Sequence, residues 1–174
     1  MRILMILIAD VDGGANPPVL QFERFLEPYY LFLDAGADVV LASLEGGDPA
    51  MRTAGGKRTD ATPIMRRFQQ DQAARDALSD TLELAQVDPG DFDGAFCLGV
   101  SGGVWPPNVH GPAEAMIGSL LISGKPVAVV PDQIDLEPLG ASEGLLITGE
   151  CASAPALAAK ALLGALAGIW DYPS

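Results

Sequence analysis

Five apolar runs punctuate the chain: Ile3–Ala9, Asp38–Ser43, Gly94–Gly99, Pro126–Val130 and Leu145–Thr148. None alternates apolar with polar. A strand half-exposed to water alternates, whereas a strand buried on both faces stays apolar along its length. The runs therefore predict a parallel sheet covered by helices. Helical patterns lie between them. Residues 19–34 carry Leu20, Phe22, Phe25, Leu26, Tyr29, Tyr30 and Phe32 at helical spacing, and Gly36 is placed to end that helix. Thr62-Pro63 is a cap and first-turn pair for a helix running to about Leu78. Pro112-Ala113-Glu114 opens another, which Gly124 closes. Ala154-Pro155 opens the last, to about Ala167; Leu157, Ala158, Ala161, Leu162, Leu163 and Leu166 make it almost wholly apolar, so it must pack on something.

The order strand–helix–strand–helix implies right-handed crossovers and a three-layer α/β sandwich, with a parallel sheet of at least five strands and helices on both faces. The length, 174 residues, suits one domain, 1–174. The Gly-rich, polar stretch Glu45–Thr62 reads as a surface excursion. The tail Ile169–Ser174 carries Trp170 and Tyr172, which could pack on the domain or on a partner subunit.

Composition narrows the function. The chain is 49% hydrophobic and 19% charged, which is globular. Its formal net charge is −13, from 23 acids against 10 bases, and such a surface repels phosphate backbones. Nucleic acid is thus not the expected partner. No apolar run approaches the ~18 residues that span a bilayer, so no membrane role is expected. The apolar start reads as a first core strand, because it is short and runs into Asp10-Val11-Asp12 with no small-residue cleavage site. Two cysteines, Cys97 in a strand and Cys151, make no disulfide framework and fit a reducing cytoplasm.

Ligands of open parallel sheets bind beyond the carboxyl ends of the strands. That rule singles out Asp10–Pro18, Ser43–Gly47, Gly99–Trp105, Pro131–Ile134 and Thr148–Ser153. In Gly99-Val100-Ser101-Gly102-Gly103 the glycines admit close backbone approach, and backbone N–H groups there could hold an oxyanion or carboxylate; a plain tight turn is the alternative. One histidine, His110, and two separated cysteines argue against zinc. Asp10 and Asp12 could hold Mg²⁺, but solvating a loop suits them better. Neither metal nor cofactor is expected. His110, in the Pro/Gly-rich segment Pro106–Pro112, reads as a surface loop residue that could approach Ser101, and Cys151 as a free thiol. Val127-Ala128-Val129-Val130 runs into Pro131-Asp132, where a strand-end turn would usually offer a nucleophile. Proline has none, and its φ is fixed near −65°.

The strings Glu27-Pro28-Tyr29-Tyr30-Leu31-Phe32-Leu33-Asp34-Ala35-Gly36-Ala37-Asp38-Val39, Leu41-Ala42-Ser43, Gly46-Gly47, Asp60-Ala61-Thr62 and Leu82–Asp93 together resemble the PfpI/ThiJ superfamily. This is the class I glutamine-amidotransferase-like, flavodoxin-like fold, and the similarity is to its chaperone and glyoxalase-III-like branch. The resemblance covers Arg2 to about Gly168 and fails at the functional motifs. The family's P-G-G-H-G strand end is here Leu98-Gly99-Val100-Ser101-Gly102, with Trp105 nearby. Its A-V-C-H elbow is Val129-Val130-Pro131-Asp132. Its helix glutamate, four residues before the proline, falls on Arg24, beside Glu23. The resemblance implies a degenerate pocket formed by Glu23, Arg24, Gly99, Val100, Ser101, Gly102 and Asp132, with an Arg24–Asp132 ion pair filling it.

The expected function follows: a catalytically degenerate member, with no intact catalytic residue at Arg24, Pro131 or Asp132. It would bind a small-molecule anion or carbonyl ligand, or a protein partner, and form the homodimer common in the family. The alternatives are an active hydrolase or lyase (intracellular-protease/amidase-like or glyoxalase-III-like) with a relocated nucleophile at Asp132, Ser101 or Cys151, and a holdase-type chaperone.

Overall fold

A computed structural model describes residues 1–8, 20–49, 51–52, 62–99, 107–130, 144–149 and 154–168. Its strands are β1 (Arg2–Leu7), β2 (Leu20–Gln21), β3 (Asp38–Ser43), β4 (Met51–Arg52), β5 (Leu82–Glu83), β6 (Gly94–Leu98), β7 (Val127–Val130) and β8 (Leu146–Thr148). Its α-helices are α1 (Phe22–Asp34), α2 (Pro63–Gln70), α3 (Gln72–Ser79), α4 (Pro107–Ile122) and α5 (Ala154–Leu166). Six strands form one sheet in the order β5-β3-β1-β6-β7-β8, every pairing parallel. All five apolar runs are strands of it. Two further pieces were not legible: the edge strand β5, and the parallel pair β2–β4 formed by Leu20↔Met51 and Gln21↔Arg52.

Alternate residues of each strand enter opposite cores. Ile3, Met5, Leu7, Phe96, Leu98, Ala128 and Val130 face a cluster with α1, α2, α3 and α5, which includes Phe25, Phe32, Phe68, Leu78 and Leu162. Leu4, Ile6, Ile8, Ala95, Cys97, Val127 and Val129 face the other, with Ala113, Met116, Ile117 and Leu120 of α4 and with Leu84 and Phe92. Burying one such large side chain contributes about 1.5–3 kcal/mol, so two faces of them outweigh any single polar contact in the fold. α5 satisfies its apolar sequence by packing Ala154, Ala158, Ala159 and Leu162 into the first core.

Helix boundaries show three departures from the pattern. α1 begins at Phe22 because Leu20 and Gln21 are taken by the β2–β4 pair. Its end follows the sequence: Gly36 has φ 77°, and the Ala37 amide donates to the Phe32 carbonyl at 3.0 Å. The long helix from Thr62 is two helices, α2 and α3. Thr62 accepts from the Met65 amide at 3.4 Å as expected, but Asp71 leaves the helix at φ −90°, ψ 95° and caps α3 by accepting from the Ala74 amide at 3.1 Å. α4 begins at Pro107 rather than Pro112, so His110 belongs to its first turns and not to a loop. Pro107 costs no hydrogen bond at a first helical position, and Pro112 sacrifices one. Part of Glu45–Thr62 is anchored to the sheet: the Gly47 amide donates to the Thr81 carbonyl at 2.7 Å, and Pro49 is buried.

Candidate functional site

The chain passes from β1 to β3 on one side of β1 and later returns to β6 on the other side. In such sheets a reversal of this kind marks the usual ligand position, above the carboxyl ends of the two strands, here β1 and β6. The floor is made of strand ends. The Ile8 amide donates to the Leu98 carbonyl at 2.9 Å, and the Gly99 amide to the Val130 carbonyl at 2.8 Å. Gly99 is buried there.

A helix that follows a parallel strand runs back along it, so α1 begins at this edge. Glu23 and Arg24 lie in its first turn, both half-buried. Glu23 complements the positive end of the helix dipole, and Arg24 opposes it by about 0.3–1 kcal/mol. Nε and Nη2 of Arg24 are buried. Charge partly buried at the positive end of a helix is tolerable where negative charge is close. β2, paired with β4, runs directly into α1. Sequence reasoning missed that pair, because a two-residue strand has no period to read. Ser43, at the end of β3, is one of few buried polar side chains here, 8% exposed.

The far side of the edge is closed by packing. A Cβ on Gly149 would stand 2.8 Å from the Ala154 Cβ, so α5 starts hard against the end of β8. β7 ends at Val130, fully buried, and the next residue in sequence is Pro131. Pro131, Asp132, Val100, Ser101, Gly102, Trp105, Asp10, Asp12, Cys151 and the aromatic tail lie outside the described residues. Of the expected site, Glu23, Arg24 and Gly99 fall among the described residues, the first two in the first turn of α1 and the third directly after β6.

Cys97 is elsewhere. It lies inside β6, fully buried in the second core, and burial pushes its thiol far above the usual range. A thiol so placed is inert. No group of three or more His, Cys, Asp or Glu among the described residues has a metal-holding arrangement. No helix among them is long and apolar enough to cross a membrane.

A parallel sheet in this order, with helices on both faces and its strand order reversing at β1/β6, defines a flavodoxin-like α/β protein. Solved structures make the class more particular. The chain is similar to the Rapid Encystment Protein of 24 kDa from Francisella tularensis, with 16% identity and TM-score 0.61 over 95% of this chain and 98% of that one. It is similar to glyoxalase III from Candida albicans, with 14% identity and TM-score 0.59 over 94% and 96%. It is also similar to a ThiJ/PfpI domain protein from Brachyspira murdochii, with 14% identity and TM-score 0.56 over 96% of each chain. The fold is that of the ThiJ/PfpI superfamily. No protein-family model matches the sequence, and no curated protein matches it.

Proposed function

We propose that this chain is a catalytically degenerate ThiJ/PfpI protein of the cytoplasm that binds a small molecule or a protein partner at the former active-site pocket. The observation that carries the reading is the end of β7: the strand stops at Val130 and the residue that follows in sequence is Pro131, which the family resemblance aligns with the elbow cysteine. Thiol chemistry needs a thiolate that is reachable and stabilised. Pro131 supplies no sulfur, and Cys97 is sealed in the core. Arg24 stands where the family's glutamate would tune that cysteine, and its buried charge suits an anion or a carbonyl oxygen in the pocket. Ser101, Gly102 and Asp132 complete the proposed lining.

The test offers purified protein methylglyoxal and an amide substrate, and in parallel measures thermal shifts with small carboxylates. The expected result is no turnover above blank, with a shift that Arg24→Met abolishes. Turnover that disappears in Asp132→Asn or Cys151→Ser overturns the reading and restores a glyoxalase- or amidase-like enzyme with a relocated nucleophile.

A further inference from the structure

Arg67 is held on two sides and open on a third. Its Nη1 donates to Oδ2 of Asp34 at 2.8 Å and its Nη2 to Oδ1 at 2.5 Å, a forked pairing that fixes the guanidinium in its own plane. Its Cζ stands 3.9 Å from the centre of the Tyr30 ring, so one flat face lies on that ring. Tyr30 is itself buried, with its hydroxyl tied to Asp71. The Arg67 side chain is still 46% exposed, so its remaining face is turned to solvent. A free surface arginine loses rotamer freedom when it binds a ligand; this one has lost it on folding.

Arg67 lines an open cleft of about 540 Å³ together with Pro63, Arg66, Gln70 and Asp71. These positions recur three to four apart along one side of α2. The volume suits a small molecule. The lining is polar, so it selects by charge and shape. Asp34 is spent on Arg67, and Asp71 on Tyr30 and the Ala74 amide. Arg66 is exposed and engaged in none of the ion pairs among the described residues. The cleft is also remote from the pocket proposed above. Arg24 lies in the first turn of α1 and Asp34 ends that helix, and the ten positions between them span about 15 Å.

We propose that this cleft binds a planar aromatic monoanion, its ring stacked on the open face of the Arg67 guanidinium and its carboxylate held by Arg66. The class follows from what each arginine has left to offer. Arg67 has committed its forked edge to Asp34 and presents a flat cationic face, which suits a π-system and not a compact oxyanion. Arg66 keeps the edge that grips a carboxylate. A ligand that uses both is an aromatic ring bearing one carboxylate. A second negative charge would meet Asp71 and the −13 of the whole chain.

An open site binds weakly, below what a thermal shift or calorimetry detects, so the readout is local. Isotope-labelled protein is titrated with benzoate, cyclohexanecarboxylate and inorganic phosphate, and the Nε–H resonances of Arg66 and Arg67 are followed. The expected result is a saturable shift with benzoate, an affinity about 2–5-fold weaker for cyclohexanecarboxylate, which has the charge without the flat ring, and no saturation with phosphate. Arg67→Lys keeps the charge beside Asp34 and removes the flat face. Read at Arg66, it should lower benzoate to the level of cyclohexanecarboxylate. Arg66→Gln should abolish saturation by every probe. Arg24→Met should respond as wild type does; loss of the shift in that variant would assign it to the other pocket and overturn the proposal. Equal affinities for benzoate and cyclohexanecarboxylate in wild type, or no shift at either arginine, overturn it too, and these comparisons need no variant to fold.

Discussion

Tyr30 donates its hydroxyl to Oδ2 of Asp71 at 3.2 Å, across 41 positions of sequence. The same carboxylate caps α3 through the Ala74 amide. One side chain thus breaks the helical stretch after Thr62 and ties the break to α1. Tyr30→Phe is expected to cost about 1 kcal/mol, and Asp71→Ala about 2 kcal/mol because it loses both the cap and the acceptor. Urea unfolding of the two single variants and the double variant should show coupling; additive losses would mean that the two residues act separately.

The same contact predicts an alkaline limit. Burial, and next the charge of Asp71, raise the ionisation of both Tyr29 and Tyr30 above the ordinary value. The folded state holds these protons where the unfolded chain releases them. Their contribution is therefore full below pH about 10 and is lost as pH rises beyond it. The slope of stability against pH above that point should flatten in Tyr30→Phe. An unchanged slope would show that Tyr30 already ionises freely.

These contacts mark what a sequence can and cannot reveal. The strands were legible because Ile3–Leu7 or Val127–Val130 are apolar at every position, and only burial on both faces demands that. The break at Asp71 was not legible. An aspartate after Gln69-Gln70 looks like any exposed helix residue until Tyr30 arrives from α1. Pro112 looked like a helix start because a proline usually is one, and the true first-turn proline, Pro107, lay five residues earlier. For the candidate site, the place at a strand end singled out Gly99, and Glu23 and Arg24 came only through the family resemblance, whereas β2 and β4 were too short to carry any pattern.

Two glycines should respond to alanine with opposite sign. A Cβ on Gly94 would lie 2.7 Å from the Pro126 carbonyl oxygen and 3.3 Å from Leu166 Cδ2. That oxygen accepts from the Ala95 amide at 3.2 Å, so the clash pushes β6 off β7. Gly94→Ala is expected to destabilise by about 1–3 kcal/mol. Gly111, inside α4, has nothing within 4 Å of where an alanine methyl would stand, and Gly111→Ala should stabilise by up to about 1 kcal/mol. Thermal melts of the two variants decide it.

Cys97 should be silent toward thiol reagents in the native protein. Its side chain is fully buried beside Ile6 and Val129, and burial raises its ionisation well above the ordinary range. Labelling with a chromogenic disulfide should proceed at no more than one thiol, Cys151, until denaturant is added. Cys97→Ser places an extra hydroxyl in the apolar core and is expected to cost about 1–3 kcal/mol. Fast modification of Cys97 at neutral pH would mean that the core between the sheet and α4 opens readily.

The last prediction concerns the proposed pocket itself. Arg24 holds a guanidinium with Nε and Nη2 buried at the start of α1, against the helix dipole. The proposed counter-charge is Asp132, two residues beyond the end of β7 in sequence. Losing one member of such a pair strands the other, whereas losing both removes the burden together. Arg24→Met and Asp132→Asn should each destabilise, and Arg24→Met/Asp132→Asn should recover much of the loss, with a coupling of about 1–3 kcal/mol. The pair also competes with any ligand anion for Arg24. Asp132→Asn should therefore tighten binding of a small carboxylate, while Arg24→Met abolishes it, both read by calorimetry. Additive stability losses, together with carboxylate binding that ignores Asp132→Asn, would separate the two residues and leave Arg24 with a different counter-charge.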